Sequence, residues 1–187
     1  IANVDTPVCL FSASKMITAM LIHLLDESGE INLLDPVSHY IPEYAQNGKH
    51  RATIFHLLSH RGGIPRVETE VTPELQFDKE RILQELYASK PLAPAGNQLA
   101  YHAVTAGYIL GAIIERVTGQ DIRQFLHEQI EKPMGMQYFN YGLKPEFRHL
   151  VAQNVSTGLH PALGTDLYFN RVLGGGLQMA VDVTNDH

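Results

Sequence analysis

The apolar segment that follows Lys15 limits the possible folds of this chain more than any other feature. From Met16 to Leu25 nearly every residue is apolar, and only Thr18 and His23 interrupt the run. A helix that is apolar on almost every face lies inside a protein core rather than half exposed on its surface. The pattern therefore predicts a buried helix, which Gly29 is expected to end in a left-handed conformation.

Two polar residues, Ser12 and Lys15, stand at the front of this segment, three positions apart. On a helix that spacing puts both side chains on one face, roughly 5–6 Å apart at Cβ. A serine hydroxyl becomes a good nucleophile when a base accepts its proton, and a lysine amine can do so when it is neutral. Bringing a lysine pKa from about 10.4 to near 7 costs roughly 4 kcal/mol, which burial can supply.

The first turn of the predicted helix adds unpaired backbone N–H groups and a partial positive charge. Both suit the negative oxygen that develops when a serine attacks a carbonyl group. The alternative interpretation of the same residues is that Ser12 merely caps the helix.

Composition indicates one globular domain and argues against nucleic-acid binding. The 187 residues are 44% hydrophobic and 18% charged, which is ordinary for a chain with one core. The net charge is −6 and no basic stripe is present, whereas phosphate contacts need clustered Lys and Arg. The single Cys9 excludes an internal disulfide and is compatible with cytoplasm or periplasm, of which we favour the cytoplasm. No apolar run reaches the length of a membrane span.

Capping residues and apolar periodicity predict further helices along the chain. They cover residues 36–40, 54–59 after Thr53, 78–89 from Asp78, 103–117, 121–130 from Asp121, and 177–183. A strand or extended entry is predicted over 7–11, a surface excursion over 68–77, and mixed turns with short strands over 138–171.

Six segments match the motifs of one known family in order and spacing. They are Ser-x-x-Lys at 12–15; Ser-Gly, Leu-Asp-Pro-Val and Tyr-Ile-Pro within 28–42; Leu-Leu-Ser-His and Gly-Ile-Pro within 57–65; Pro-Ala-Gly before Tyr101; Gly107 to Gly119 with Pro-Met-Gly-Met at 133–136; and Gly-Gly-Gly-Leu at 174–177. The chain resembles the serine β-lactamase and penicillin-binding-protein superfamily, in its branch of class C β-lactamase-related serine hydrolases and esterases.

The resemblance implies an α/β (α+β) fold of the β-lactamase/transpeptidase type. Residues 1–187 would be one domain comprising mostly the helical part with an entrance strand. The chain starts abruptly and ends just after the beginning of a predicted helix, so we expect a fragment that lacks the closing C-terminal strands.

The resemblance also assigns roles at the predicted site. Ser12 would be the nucleophile, Lys15 the activating amine, and Tyr101 the phenol that helps to move the proton. Members that recognise lactams usually carry Asn two residues after this tyrosine, where this chain has Ala103, so the resemblance favours an esterase-like member. The third motif, Lys or His followed by a small residue and Gly, has no match before His187.

Other candidates have a functional and a structural interpretation. His102 is a candidate substrate contact, although a hydrogen-bonded structural histidine is an equal alternative. Gly175 and Gly176 are candidate substrate-binding residues, which we expect to pack closely at the floor of the site. His56 and His60 have the spacing of helical metal ligands, but no carboxylate accompanies them, and we predict a structural role and no metal.

The sequence thus predicts a serine hydrolase that forms an acyl-enzyme on a small ester or amide. It needs no cofactor, and its partner is a small-molecule ester, amide or lactam; the oligomeric state is not predicted. The alternatives are a β-lactamase or D-alanyl-D-alanine carboxypeptidase, or an inactive scaffold or binding protein with the same fold.

Overall fold

Helices dominate the computed structural model, which describes residues 2–67, 69, 72–155, 167, 170 and 177–185. In chain order the α-helices are α1 (Ser14–Glu27), α2 (Val37–Tyr40), α3 (Ile54–Leu58), α4 (Pro73–Phe77), α5 (Lys79–Ala88), α6 (Thr105–Thr118), α7 (Ile122–Leu126) and α8 (Leu177–Asn185). Tighter 3₁₀ turns cover Phe11–Ala13, Pro42–Arg51 with a kink at 46–48, and Pro145–Leu150, and a π turn covers His127–Glu131.

The core forms around α1 and α6, which pack against each other. Large apolar side chains of both helices are buried here, each at most 5% exposed. They include Leu21, Ile22 and Leu25 of α1 and Ile109, Ile113 and Ile114 of α6. Each such side chain contributes about 1.5–3 kcal/mol when it is fully removed from water. The two most apolar segments of the sequence are therefore the centre of the fold.

The prediction that α1 is buried on nearly every face is wrong for its first turns. Met16 is 70% exposed and Met20 is 40% exposed, while Leu21 and Ile22 are fully buried. Met16 and Met20 are four residues apart and share one helix face. No described residue covers that face, so apolar composition overstated how much of α1 is enclosed.

Several helix ends were correctly predicted because their signals are local. Thr53 caps α3 through a reciprocal pair of bonds with His56, and Asp78 and Asp121 cap α5 and α7. Gly119 ends α6 with φ 72°. Helix α4 lies in the stretch that was predicted as a surface excursion; its cap is Thr72, whose side chain accepts from the Leu75 N–H.

The strand predicted over residues 7–11 is not formed. Residues 7–10 have no regular secondary structure, and the Pro7 carbonyl accepts a single backbone bond from Ala152, at 2.9 Å. Pro7 has no N–H to donate, which disfavours this segment as a central strand. In the described part of the chain the only β pairing is an isolated antiparallel bridge between Pro36 and Thr53. The extended-entry alternative fits these residues.

The turn after α3 holds the segment that leads to Tyr101. Backbone N–H groups of Leu92, Gly96 and Ala100 donate to carbonyls of the turn, each at 2.9 Å; the acceptors are Gly63, Arg61 and His60 respectively. The segment from 92 to 100 therefore runs beside this turn. Gly63 is essential to the fit, because its φ is 89° and an added Cβ would lie 2.7 Å from the Ala93 oxygen.

Among the described helices none is long and apolar enough to cross a membrane, and the longest, α1 and α6, have 14 residues each.

Replacing Gly63 by Ala should destabilise the whole protein more than replacing Gly29 by Ala. Both glycines are left-handed, but a Cβ at Gly29 would meet nothing within 4 Å. We expect about 1 kcal/mol for Gly29→Ala from backbone strain alone, and roughly 3 kcal/mol for Gly63→Ala because backbone must also move. Urea unfolding of the two variants measures the difference, and equal costs would contradict the close approach to Ala93.

Candidate active site

Ser12 lies in the 3₁₀ turn that leads directly into α1. Phe11, just before it, has a left-handed φ of 46°, which is uncommon and costly for a residue with a side chain. The helix cap position is Ala13 and no side chain caps α1; Ser14 donates its own hydroxyl proton to the Phe11 carbonyl instead. The capping interpretation of Ser12 therefore does not apply, and its hydroxyl is available for other contacts.

Three side chains meet at the start of α1. The Ser12 Oγ is 2.6 Å from the Tyr101 hydroxyl oxygen, and Lys15 Nζ donates to the same Oγ at 3.2 Å. The Lys15 Nζ also lies 5.0 Å from the centre of the Tyr101 ring. The predicted residues Ser12, Lys15 and Tyr101 are thus brought together, although Tyr101 is 89 positions from Ser12.

The electrostatics of the cluster favour the ionised form of Tyr101. Partial burial raises the pKa of the phenol, but hydrogen bonds to Ser12 and Lys15, together with the positive charge of Lys15, outweigh it. The net pKa of Tyr101 lies below its ordinary value of 10.0. A phenol tuned in this way can accept a proton from a neighbouring hydroxyl more readily than an ordinary tyrosine.

Lys15 is only half-buried, and Ser12 and Tyr101 are exposed. The buried helix predicted from the sequence would instead have removed the lysine amine from solvent. The described residues do not enclose the amine in that way, since the exposed face of α1 that carries Met16 adjoins it.

His102 is not placed to touch a substrate. Its side chain is 1% exposed, and its Nδ1–H donates to the Ala100 carbonyl at 2.6 Å. Its Nε2 is buried without a hydrogen-bond partner among the described residues and lies against Gly62, where a Cβ would approach to 3.2 Å. Burial lowers the pKa of His102, which keeps it neutral. The position favours the structural alternative.

Gly175 and Gly176, the other predicted substrate contacts, lie outside the described residues. The helix predicted after them is present as α8.

The histidines of the α3 region have partners other than a metal. His56 Nδ1 accepts from the Thr53 N–H at 3.2 Å as part of the α3 cap. The neighbouring Ser59 also has a partner within the chain, since its hydroxyl donates to the Phe55 carbonyl at 2.7 Å. Within the described part of the chain no group of three His, Cys, Asp or Glu side chains could hold a metal ion.

His60 lies beside the cluster, a position that the sequence analysis missed. Its ring centre is 4.8 Å from that of Tyr101. No local pattern links residues 60 and 101, so spacing could not reveal the contact; the Leu-Ser-His segment of the family resemblance was the only available signal.

A cavity of about 510 Å³ lies near the cluster but does not include it. Its lining contains Phe11 and Ser14, which lie within two residues of Ser12, together with Arg123 and Tyr141. Ser12, Lys15 and Tyr101 do not line it, so size alone does not mark the chemical site.

A helical fold that holds a serine, a lysine and a tyrosine in hydrogen-bond contact at the start of its central helix defines the Ser-x-x-Lys class of proteins. The chain belongs to the Beta-lactamase family, which matches residues 2–184. The resemblance and the fold class inferred from the sequence are both confirmed, with the fold being the helical part of a β-lactamase/transpeptidase-like domain.

Two curated relatives and one solved structure illustrate the family. The chain is 30% identical over 143 residues to Esterase/beta-lactamase LipL of Mycobacterium tuberculosis, covering 76% of this chain and 33% of that protein. It is 30% identical over 150 residues to Esterase EstB of Burkholderia gladioli, covering 71% and 38%. A penicillin-binding protein homologue from Caulobacter crescentus superposes with a TM-score of 0.79 at 34% identity, covering 86% and 43%. The chain therefore spans less than half the length of each.

The phenol of Tyr101 should ionise at a lower pH than an ordinary tyrosine, and Lys15→Met should raise its pKa. The reason is that Lys15 supplies both a hydrogen bond and a positive charge to the phenolate. Phenolate absorbance of the whole protein during a pH titration, minus that of Tyr101→Phe, isolates this group.

Lys90→Met is the matched control, because Lys90 is an exposed lysine that no described hydrogen bond or ion pair joins to Ser12, Lys15 or Tyr101. An unchanged Tyr101 titration in Lys15→Met, or an equal shift in Lys90→Met, would contradict the assigned electrostatics.

Proposed function

We propose that the protein is a serine hydrolase that forms an acyl-enzyme on Ser12 from a small ester or amide. The observation that carries the proposal is the double contact of the Ser12 Oγ, 2.6 Å from the Tyr101 oxygen and 3.2 Å from Lys15 Nζ. A hydroxyl held between a tuned phenol and an amine meets the geometric requirement for an activated nucleophile.

Tyr101 is the proton acceptor in the first step and Lys15 stabilises its phenolate. The Ser12 Oγ attacks the carbonyl carbon of the substrate while its proton passes to the Tyr101 oxygen. The tetrahedral intermediate then collapses, the bond to the leaving alcohol or amine breaks, and Tyr101 returns the proton to that group. Water then attacks the acyl carbonyl carbon while Tyr101 accepts its proton. The bond between the acyl carbon and Ser12 Oγ breaks, the acid leaves, and Tyr101 returns the proton to Ser12.

The backbone around Ser12 offers a donor for the developing oxyanion. Among the described residues no acceptor takes the Ser12 N–H, whereas the next N–H, of Ala13, donates to Leu10 at 3.0 Å. An unpaired N–H beside the positive end of α1 is suited to a negative oxygen. The proposed reaction requires no cofactor.

An ester is the preferred substrate class. Ala103 is 6% exposed and has no polar side-chain atom, so it offers no amide to an acylamino group. Two relatives carry esterase in their names. The competing β-lactamase or D-alanyl-D-alanine carboxypeptidase activity is favoured by the likeness to the penicillin-binding protein homologue. The inactive-scaffold alternative rests on Ala103 alone.

The partner is accordingly a small-molecule ester, amide or lactam and not a nucleic acid, in keeping with the net charge of −6. The cytoplasmic location and the place of this chain within a longer domain stay predictions.

Lys15→Ala and Tyr101→Phe should each lower kcat for a short-chain nitrophenyl ester by about 10²–10⁴-fold, the usual contribution of a positioned proton-transfer group. Steady-state kinetics of the whole protein measures this, with Lys90→Ala as control. Variants within about threefold of wild type would remove the residue from the mechanism.

Substrate choice is tested by comparing the nitrophenyl ester with a chromogenic cephalosporin on the same preparation. Ester turnover without cephalosporin turnover supports the esterase proposal. Cephalosporin turnover at a comparable kcat/KM supports the lactamase alternative, and turnover of neither substrate supports the scaffold.

A further inference from the structure

His60 contacts the backbone on both sides of Tyr101. The Ala100 N–H, before the tyrosine, donates to the His60 carbonyl at 2.9 Å. The His102 N–H, after the tyrosine, donates to His60 Nδ1 at 3.2 Å. One residue thus accepts the N–H groups that flank Tyr101, one through its main chain and one through its side chain.

The His60 ring also packs against the phenol itself. The ring centres of His60 and Tyr101 are 4.8 Å apart, and their planes are inclined by 59°. The His102 ring stacks on the His60 ring with the centres 5.9 Å apart. Lys15 Nζ approaches the Tyr101 ring as well, at 5.0 Å. The phenol is therefore fixed by its ring, its main chain and its hydroxyl, and His60 supplies the first two constraints.

The side-chain bond defines the protonation state of His60. A backbone N–H can only donate, so Nδ1 carries the lone pair and the ring proton sits on Nε2. An imidazolium, with protons on both nitrogens, could not accept this bond. Burial, followed by the positive charge of Lys15, lowers the pKa of His60 and favours the neutral ring. The titratable groups that face it are Lys15, Tyr101 and His102.

The backbone of His60 is itself unusual, since its φ is 58° in the left-handed region. Asn tolerates this conformation better than most residues with a side chain. The Asn side-chain oxygen can also occupy the position of Nδ1 and accept the same bond, but Asn does not titrate. His60→Asn is therefore a conservative replacement for the acceptor, and His60→Ala removes it.

We propose that His60 is a positioning residue for Tyr101, whose neutral imidazole holds the phenol against the Ser12 hydroxyl. The proposal rests on the proposed hydrolase function. It gives the half-buried His60 a role in the reaction without any contact to substrate. When His60 is protonated, the His102 N–H loses its acceptor and Tyr101 loses one of its two backbone anchors.

The kinetic test compares His60→Ala and His60→Asn with wild type in the whole protein. His60→Ala should lower kcat/KM for the nitrophenyl ester by roughly 10–100-fold, mainly in kcat, because small misplacements of a catalytic group are costly. His60→Asn should recover most of that loss. His23→Asn, at an exposed position of α1, is the matched control and should stay within twofold of wild type.

The pH profile provides a readout that a merely structural role would not change. As the pH falls, log kcat/KM of wild type should decline with a slope of one as the proton acceptor of Ser12 is protonated. Below the pKa of His60, which lies under about 6.5, the slope should approach two. In His60→Asn the slope should stay at one, because the side chain that accepts the His102 N–H then has no proton to gain.

Two kinetic outcomes would overturn the proposal. One is a His60→Ala variant that keeps its fold, monitored by thermal unfolding, with kcat/KM within twofold of wild type. The other is a slope of two that persists in His60→Asn.

A measurement without turnover separates this proposal from the proposed function. Displacement of Tyr101 in His60→Ala should raise the pKa of the phenol, because the contacts with Ser12 and Lys15 that lower it are weakened. Phenolate absorbance detects this even in a protein that hydrolyses nothing. A whole protein without esterase activity would sink the proposed function, whereas an unchanged Tyr101 titration in His60→Ala would sink the role of His60.

Discussion

The contact between the Ser12 hydroxyl and the Tyr101 phenol is the interaction on which the account of this protein depends. It joins two segments 89 residues apart at 2.6 Å. One segment is fixed by the buried face of α1, which packs on α6. The other is fixed by the turn after α3, whose backbone holds residues 92–100. The helical core thus determines a distance between two exposed side chains.

The neighbours of the phenol differ in charge. Lys15 brings positive charge to Tyr101, while the pKa values of His60 and His102 are lowered chiefly by burial, which favours neutral rings. The buried Nε2 of His102 without a described partner carries a cost of about 1–3 kcal/mol for an unsatisfied polar group. Proteins often tolerate such a loss of folding stability next to a reactive site, where the positions of the side chains matter for function.

Sequence reasoning succeeded where the controlling chemistry was local. Thr53, Asp78 and Asp121 cap helices because their oxygens reach N–H groups two or three residues ahead, and Ser12 and Lys15 are close because a single turn separates them. Tyr101 could be paired with them only through the family resemblance. No spacing rule predicts a contact over 89 residues.

The wrong predictions share one physical cause: the composition of a segment does not determine which other residues surround it in the fold. Met16 and Met20 were expected to be buried because they are apolar, but burial depends on what covers a face. The strand over 7–11 was expected from apolar residues that have no pairing partner in the described chain. Helix α4 was missed because its polar composition outweighed the Thr72-Pro73 start signal. His102 was considered for substrate contact because it adjoins Tyr101 in sequence, whereas its ring turns into the interior.

The most direct measurement of the central claim is to locate the site of covalent modification by a fluorophosphonate ester probe. The whole protein would be labelled at pH 7–8, digested and sequenced by mass spectrometry, with Ser12→Ala and Ser14→Ala treated in parallel. The account predicts one adduct, on Ser12, which disappears in Ser12→Ala and persists in Ser14→Ala. Ester hydrolysis by a protein whose adduct lies on another residue, or that survives Ser12→Ala, would contradict it.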